Sequence, residues 1–398
     1  MGHSTEQDLA FRDWADRARA VAVVDALALL PHGVKRRGNQ MVGPCPACGG
    51  HDRFSIHLVK NLWHCRASKK GGDAIALIQY VEGVDFLGAV ERLTGEACPT
   101  GEKGQKPDLA LMQKRRENAE AQARQREIEA LDYRSREQNR ARDIWRQAED
   151  HSAVTQAYLA KRGLDVPDEA DLRGQANQKY WHYNEAAKAF EVLHTGPAMI
   201  AAIRNGAGRI EGCHITYIDL ATKTAKAAVV DPATGEVLDA KKVRGSQRGG
   251  RIHLGGHFGA ASLVIGEGIE TVLSVRQAML AHGRDISDFM FWAAVNLGNM
   301  GGAAAKSVFH PTLKRKDSRG LERRVKVAGP VPKYDSAPCL MPPDYAREMI
   351  LLMDGDSDGF TTSQVMLRAA ARFQAPGRKV RIARADSGFD FNDMWRAA

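Results

Sequence analysis

From residue 262 onward, short apolar segments alternate with longer amphipathic ones. The apolar segments are SLVIG, FMFWAAV, MILLM and KVRIA, and the longer ones include IETVLSVRQAMLAHG and FTTSQVMLRAAARFQA. Short apolar runs bounded by turn residues predict buried strands, and the longer segments predict helices. This alternation is typical of an α/β fold with a largely parallel sheet. We therefore expect such a domain over residues 261–398.

Acidic residues follow two of these predicted strands directly. Glu267-Gly268 comes after SLVIG, and the run DGDSDG, from Asp354 to Gly359, comes after MILLM. The carboxyl ends of parallel strands form the usual ligand side of an open α/β sheet. Clustered carboxylates there suit Mg²⁺ or Mn²⁺, so the pattern predicts a divalent metal site.

The run DGDSDG also resembles the start of a calcium-binding EF-hand loop. The twelfth position of such a loop would be Val365 instead of the required Glu, and the preceding segment is strand-like. We therefore exclude a calcium sensor. A further alternative concerns Asp358, whose carboxylate is also suited to capping the helix that begins near Phe360.

A second chemical motif is the pair Cys45 and Cys48 in CPACGG. Two thiolates three residues apart bind one tetrahedral Zn²⁺, and Cys65 follows a β-like stretch as a third ligand. Ser68 stands where a zinc ribbon would place its fourth Cys. His51 or His57 is the candidate fourth ligand. The alternative is that the thiols are small buried groups without a metal.

The rest of the chain divides by composition. Residues 1–100 carry the cysteine motif, and residues 101–150 form a charged segment that predicts a solvated helical linker. Residues 151–260 contain short β-prone pieces and predict a sheet-containing subdomain. No apolar run is long enough to span a bilayer. We expect a cytoplasmic protein with no membrane partner.

Positive charge is concentrated in two stretches. The chain has 57 Lys and Arg residues against 48 Asp and Glu residues, a net charge of +9, which favours a polyanionic partner. The first stretch precedes Glu267, and the second, from Lys306 to Lys333, appears as an insertion between two strands. Each fits either phosphate contact or a solvated loop. The first stretch consists of Lys241, Lys242, Arg244, Arg248 and Arg251.

The motifs together resemble those of bacterial and phage DNA primases. CPACGGHDRFSI and LWHCRASKKGGDAIALIQYVEGVDFLGAVERLTG are similar to the family's zinc-binding domain. Glu267-Gly268 and the DxD of Asp354 and Asp356 resemble the motifs of its Toprim catalytic domain. GFDFNDMW, residues 388–395, resembles the last acidic motif of phage-type members.

The resemblance implies roles for these residues. Glu267, Asp354 and Asp356 would be catalytic and would bind Mg²⁺, together with Asp358 and with Asp390 or Asp393. The stretch from Lys241 to Arg251 would face template and nucleotide. The zinc module would hold single-stranded DNA, with Trp63 or Phe54 available for base stacking.

The implied activity is synthesis of short RNA primers from nucleoside triphosphates on a single-stranded DNA template. The expected partner is a separate replicative helicase, and the little sequence beyond Trp395 suggests a compact phage or plasmid enzyme. Two alternatives stay open. One is a Toprim-type metal-dependent nuclease, and the other is a non-catalytic DNA-binding replication accessory protein.

Overall fold

The computed structural model describes residues 3–30, 33–37, 40–99, 109–184, 187–316 and 321–398. It divides into two units, residues 1–128 and 129–398. Among the described residues, no helix combines the length and the apolar character that a bilayer crossing requires.

The first unit packs helices against a five-stranded antiparallel sheet. Asp73 and Asp85 accept hydrogen bonds from the backbone N–H groups of Ala76 and Gly88, and so cap two of the helices. Gly83 and Gly95 end those helices in the left-handed conformation. The elements are α1 (His3–Ala20), α2 (Val23–Ala28), β1 (Lys35–Arg37), β2 (Gln40–Cys45), β3 (Gly49–His57), β4 (Leu62–Cys65), β5 (Gly71–Gly72), α3 (Ala74–Glu82) and α4 (Phe86–Thr94), with strand order β1-β2-β3-β4-β5.

Helix α5 (Leu109–Gln147) covers most of the segment predicted as a charged linker. Its last turns are not a solvated spacer, because Ala141, Trp145 and Ala148 are buried in a core of the second unit. The guanidinium of Arg173 lies 4.5 Å from the centre of a Trp145 ring. The C-terminal end of the helix is therefore part of the folded second unit.

The first part of the second unit is a four-stranded antiparallel sheet with strand order β11-β8-β7-β6. The alanine, isoleucine and methionine side chains at 198–203, in the strand Ala189–Arg204, are fully buried, so both faces of this strand are covered. The elements are α6 (Ala153–Lys161), β6 (Leu172–Asn184), β7 (Ala189–Arg204), β8 (Ile210–Tyr217), β9 (Val229–Val230), β10 (Val237–Leu238) and β11 (Lys241–Gly245).

The second part of this unit is an α/β sheet with strand order β12-β14-β13-β17-β18, in which only β12 is antiparallel. This confirms the predicted α/β fold and its largely parallel sheet. After Ser262, strands β13 and β14 consist of apolar residues and glycine because both faces of the sheet are covered. The elements are β12 (Ile252–Gly256), β13 (Ser262–Gly266), α7 (Ile269–Ala281), β14 (Phe289–Ala293), α8 (Leu297–Gly301), β15 (Ser307–Lys316), β16 (Glu322–Ala328), β17 (Glu348–Met353), α9 (Gly359–Phe373), β18 (Lys379–Arg384) and α10 (Phe391–Ala397).

Candidate functional site

Glu267 and Asp354 immediately follow the neighbouring parallel strands β13 and β17. In the register of these strands Ile265 lies opposite Leu351, so the two carboxylates emerge at one edge of the sheet. Asp356 and Asp390 join them in lining a cavity of about 420 Å³. The structure thus brings together four of the acidic residues that the sequence singled out.

The position between Asp354 and Asp356 can hold only glycine, for a steric reason. A Cβ on Gly355 would lie 2.1 Å from the carbonyl oxygen of Asp386. The Gly355 N–H donates to the carbonyl of Phe389, and the Gly388 N–H donates to the carbonyl of Gly355, each at 2.9 Å. These contacts hold the turn against the segment that leads to Asp390. They therefore fix the acidic motifs relative to one another.

Hydrogen bonds orient the Asp354 carboxylate. The Thr271 hydroxyl donates to Oδ2 at 3.0 Å, and the backbone N–H of Phe391 donates to Oδ1 at 3.4 Å. Burial, and then repulsion from Asp390 and Asp356, raise the pKa of Asp354. Burial and the charges of Asp354 and Asp356 likewise raise the pKa of Glu267. Several carboxylates that raise one another's pKa thus face one cavity.

Asp358 does not line the cavity that these four carboxylates share. Its carboxylate accepts a hydrogen bond from the backbone N–H of Thr361 at the start of α9 and another from His310. The hydrogen bonds from Thr361 and His310 lower the pKa of Asp358 to about 2. Asp358 therefore caps a helix, which was the alternative considered from the sequence.

Asp390 lines the cavity, and it also caps α10 by accepting from the backbone N–H of Asp393 at 2.6 Å. Asp393 is exposed and does not line the cavity. Of the two candidates in the last acidic motif, the structure places Asp390 with the other carboxylates.

Sequence reasoning did not find the network around Glu270. This side chain is buried, and its carboxylate accepts from the Tyr158 hydroxyl at 2.6 Å. Lys226 and Lys241 each place an ammonium within 3.5 Å of it. Burial alone would raise the pKa of Glu270, but the two lysines hold it well below its usual range. Glu270 is thus an ionised buried group that positions two cations at the wall of the cavity.

The five basic residues before Glu267 do not form one surface. Lys241 lines the cavity, whereas Lys242 projects from the other face of β11 and lies 4.8 Å from the centre of the Tyr180 ring. Arg244 faces Glu137 of α5 at 3.8 Å, and Arg248 is exposed. Of these five residues, only Lys241 lines the cavity of the carboxylates.

Arg251 is a structural residue. It is buried, its guanidinium lies 4.3 Å from the centre of a Trp292 ring, and it donates to the carbonyl of Asn205 at 2.8 Å. Its assignment to a nucleic-acid surface is therefore wrong. The sequence could not reveal this, because Asn205 and Trp292 are remote from it along the chain.

Two further cavity residues were missed by the sequence reasoning. His214 is buried, and burial followed by the charge of Lys241 lowers its pKa to about 4, so the ring is neutral at pH 7. Val295 has a φ of 72°, a left-handed conformation that is unfavourable for a β-branched residue. Backbone strain of this kind is concentrated at functional sites. No sequence motif indicated that His214 or Val295 would line the cavity.

The thiols of Cys45, Cys48 and Cys65 form the second site, in the first unit. Their sulfur atoms all lie within 4.8 Å of one another, and those of Cys48 and Cys65 are 3.6 Å apart. Sulfur ligands of a tetrahedral Zn²⁺, each at about 2.3 Å, are separated by about 3.8 Å. The three thiols therefore fit zinc.

Two hydroxyl groups lie beside this cluster, those of Tyr80 and Ser68. The Tyr80 hydroxyl is 3.5 Å from Cys45 Sγ. Burial would raise the pKa of Cys65, but hydrogen bonds from Ser68 and Cys48 outweigh it and lower that pKa to about 6. A thiolate is the form that binds metal. Ser68 therefore lies beside the Cys65 thiol.

His57, one of the two candidate fourth ligands, is remote from the thiols. It lies at the opposite end of β3 from the cysteine knuckle, and its Nδ1 accepts the backbone N–H of Lys60. The side chain of the other candidate, His51, lies outside the described residues. The position of His57 therefore excludes it as the fourth ligand of the thiol cluster.

Phe54 and Trp63 are not available for base stacking. Both are buried, and they stack on each other with ring centres 5.6 Å apart. Trp63 also stacks on Tyr80 and donates its indole N–H to the carbonyl of Asp73. The expectation that they bind template is wrong, since these aromatic rings form the core behind the thiol cluster.

Comparison with known proteins adds independent findings to this geometry. A family described as CHC2 zinc finger matches residues 10–104, and a domain of unknown function, DUF7146, matches residues 135–254. DNA primases of Halalkalibacterium halodurans and Geobacillus stearothermophilus are each 32% identical over 80 residues. An 80-residue part of this chain thus resembles DNA primases. The match covers 20% of this chain and 13% of each of these relatives.

Solved primase structures also align with the chain. The Aquifex aeolicus primase, with zinc-binding and RNA polymerase domains, is 14% identical with a TM-score of 0.32, covering 96% of this chain and 82% of that one. The primase fragment of the bacteriophage T7 primase-helicase protein is 12% identical with a TM-score of 0.31, covering 89% and 94%.

Proposed function

We propose that this chain is a DNA primase that synthesises short RNA primers on single-stranded DNA. The observation that carries the proposal is the cavity at the sheet edge, where Glu267, Asp354, Asp356 and Asp390 meet Lys241. Carboxylates beside a cation suit a reaction on phosphates, in which metal ions neutralise charge and hold triphosphate oxygens. The zinc-finger match in the N-terminal unit supports the same assignment.

In this reaction the 3′-hydroxyl of one ribonucleotide attacks the α-phosphate of a nucleoside triphosphate, and pyrophosphate leaves. Bound Mg²⁺ would activate the attacking hydroxyl and stabilise charge on the leaving oxygens. Asp354 and Asp356, with Glu267 or Asp390, would hold the ions. Lys241, held by Glu270, would face the triphosphate.

Zinc has a structural role in the proposal. Cys45, Cys48 and Cys65 would supply three thiolates, with an oxygen in the place of a fourth sulfur. The expected partners are the single-stranded DNA template, nucleoside triphosphates and a separate replicative helicase.

The test incubates the purified chain with single-stranded DNA, Mg²⁺ and labelled ribonucleotides, and resolves the products on a denaturing gel. We expect short RNA products that are lost in Asp356→Asn and retained in the matched control Asp393→Asn. DNA fragments that depend on Asp356 would instead establish a nuclease. Intact DNA with no RNA would indicate an accessory protein.

A further inference from the structure

Two strands between α8 and β17 form a basic two-stranded ribbon. Strands β15 and β16 pair antiparallel, and together they carry six basic residues and one acidic residue. The basic side chains are all exposed. They are Lys314, Arg315, Lys316, Arg323, Arg324 and Lys326.

Cations face cations across this ribbon. Lys314 pairs with Arg324, and Arg315 pairs with Arg323. Like charges directly opposite each other on neighbouring strands are destabilising. The nearby acidic residue, Glu322, approaches Lys314 at 3.3 Å and offsets only part of this charge. A bound polyanion would remove the repulsion.

One face of the ribbon also presents an aromatic ring. Phe309 is 53% exposed, and it lies opposite Lys326 in the register. The Lys326 ammonium and the Arg324 guanidinium lie 5.2 Å and 5.6 Å from the centre of its ring. An exposed aromatic ring flanked by cations is the arrangement that binds unpaired bases and their phosphates.

Hydrogen bonds attach the ribbon to the α/β part of the second unit. The buried Arg368 of α9 donates to the carbonyls of Ala328 and Gly329 at the end of β16. His310 of β15 accepts the backbone N–H of Leu313 at Nδ1, which leaves its Nε2–H to donate to Asp358 at 3.1 Å. Asp358 lies two residues from Asp356, so the ribbon begins beside the acidic turn.

We propose that the ribbon of strands β15 and β16 is a binding arm for single-stranded DNA next to the carboxylate cavity. It contacts the phosphates through Lys314, Arg324 and Lys326 and stacks a base on Phe309. The inference rests on the proposed function, since it assigns the path of the template. Binding itself requires no catalysis.

The experiment measures the affinity of the full chain for a fluorescein-labelled, mixed-sequence single-stranded DNA by anisotropy over a range of KCl concentrations. The ribbon variant is Lys314→Gln/Arg324→Gln/Lys326→Gln. The matched control, Arg209→Gln/Lys223→Gln/Lys379→Gln, removes three exposed cations outside the ribbon.

We expect the Kd of the ribbon variant to rise at least about tenfold. The slope of its plot of log Kd against log salt should fall by about 2, because three phosphate contacts are lost and each contact to a single strand contributes about 0.7. The control should bind like the wild type. Phe309→Ala should weaken binding without changing the slope. Equal affinity of the ribbon variant and the wild type would overturn the proposal, and so would preferential binding of a duplex of equal length.

A melting curve without DNA separates loss of binding from loss of folding. Because three mutually repelling cations are removed, the ribbon variant should melt at or above the wild-type temperature. If the wild type makes no primers but the ribbon variant loses DNA affinity, the proposed function fails and the arm stands. If the wild type makes primers and the ribbon variant binds DNA as tightly as the wild type, the proposed function stands and the arm fails.

Discussion

Replacing Glu270 with Gln should destabilise the second unit strongly. The substitution keeps the shape of the side chain and an oxygen that accepts from the Tyr158 hydroxyl, but it removes the charge between Lys226 and Lys241. The Glu270 side chain is 8% exposed, and the two lysine side chains are 29% and 32% exposed. Each lysine would then lack the carboxylate that it contacts.

The expected magnitude follows from these exposures. Removing one partner of a fully buried ion pair costs about 3–5 kcal/mol. Because both lysines reach solvent in part, we expect the low end of this range, about 3 kcal/mol. Tyr158→Phe removes one hydrogen bond to a charged acceptor and should cost about 1.5–3 kcal/mol.

The control is Asp356→Asn. Asp356 is exposed and lies among other carboxylates, so this substitution removes repulsion and leaves no buried group unpaired. Its free energy of unfolding should stay within about 0.5 kcal/mol of the wild type or rise slightly. Glu270 and Asp356 line the same cavity, but Glu270→Gln should lower the free energy of unfolding strongly, whereas Asp356→Asn should leave it nearly unchanged or raise it slightly.

The assay is urea unfolding of the full chain at pH 7, followed by tryptophan fluorescence and circular dichroism, with analysis of the transition of the second unit. A double-mutant cycle of Glu270→Gln with Tyr158→Phe measures their coupling. The reasoning is refuted if Glu270→Gln costs less than about 1 kcal/mol, or no more than Asp356→Asn.

Three further outcomes are expected. Ser68→Cys supplies a fourth thiolate, so this variant should retain zinc at least about tenfold more tightly than the wild type in competition with a chromogenic chelator. Unchanged retention would show that the Ser68 position is not part of the site. Removal of zinc by a chelator should lower the melting temperature of the first unit and leave the second unit's transition unchanged. Asp358→Ala should cost about 1 kcal/mol through the lost helix cap and leave Mn²⁺ stoichiometry unaltered, so loss of bound Mn²⁺ would restore Asp358 as a ligand.

Features with a local cause could be predicted from the sequence. The apolar runs SLVIG and MILLM indicated central parallel strands because such strands are covered on both faces. The acidic residues directly after them had to emerge at one edge of the sheet. Cys45 and Cys48 indicated a metal knuckle because their spacing alone brings both thiols to one side of a turn.

Features that depend on remote contacts could not be predicted. Glu270 meets Tyr158, which lies 112 positions earlier, and nothing in the local sequence joins them. Arg251 belongs by sequence to a basic stretch, but Trp292 and Asn205 make it a buried structural residue. Asp358 had two local interpretations, and His310, from the ribbon, is one of the contacts that decide between them.

Template dependence is the most direct test of the central claim. The purified chain would be given Mg²⁺, labelled ribonucleoside triphosphates and two single-stranded DNA templates that differ at one base within the copied segment, and the first RNA products would be sequenced. The account predicts that the product changes at the complementary position, and that Asp356→Asn makes no product while Asp393→Asn makes the wild-type product. RNA of the same sequence on both templates, or product formation that survives Asp356→Asn, would contradict it.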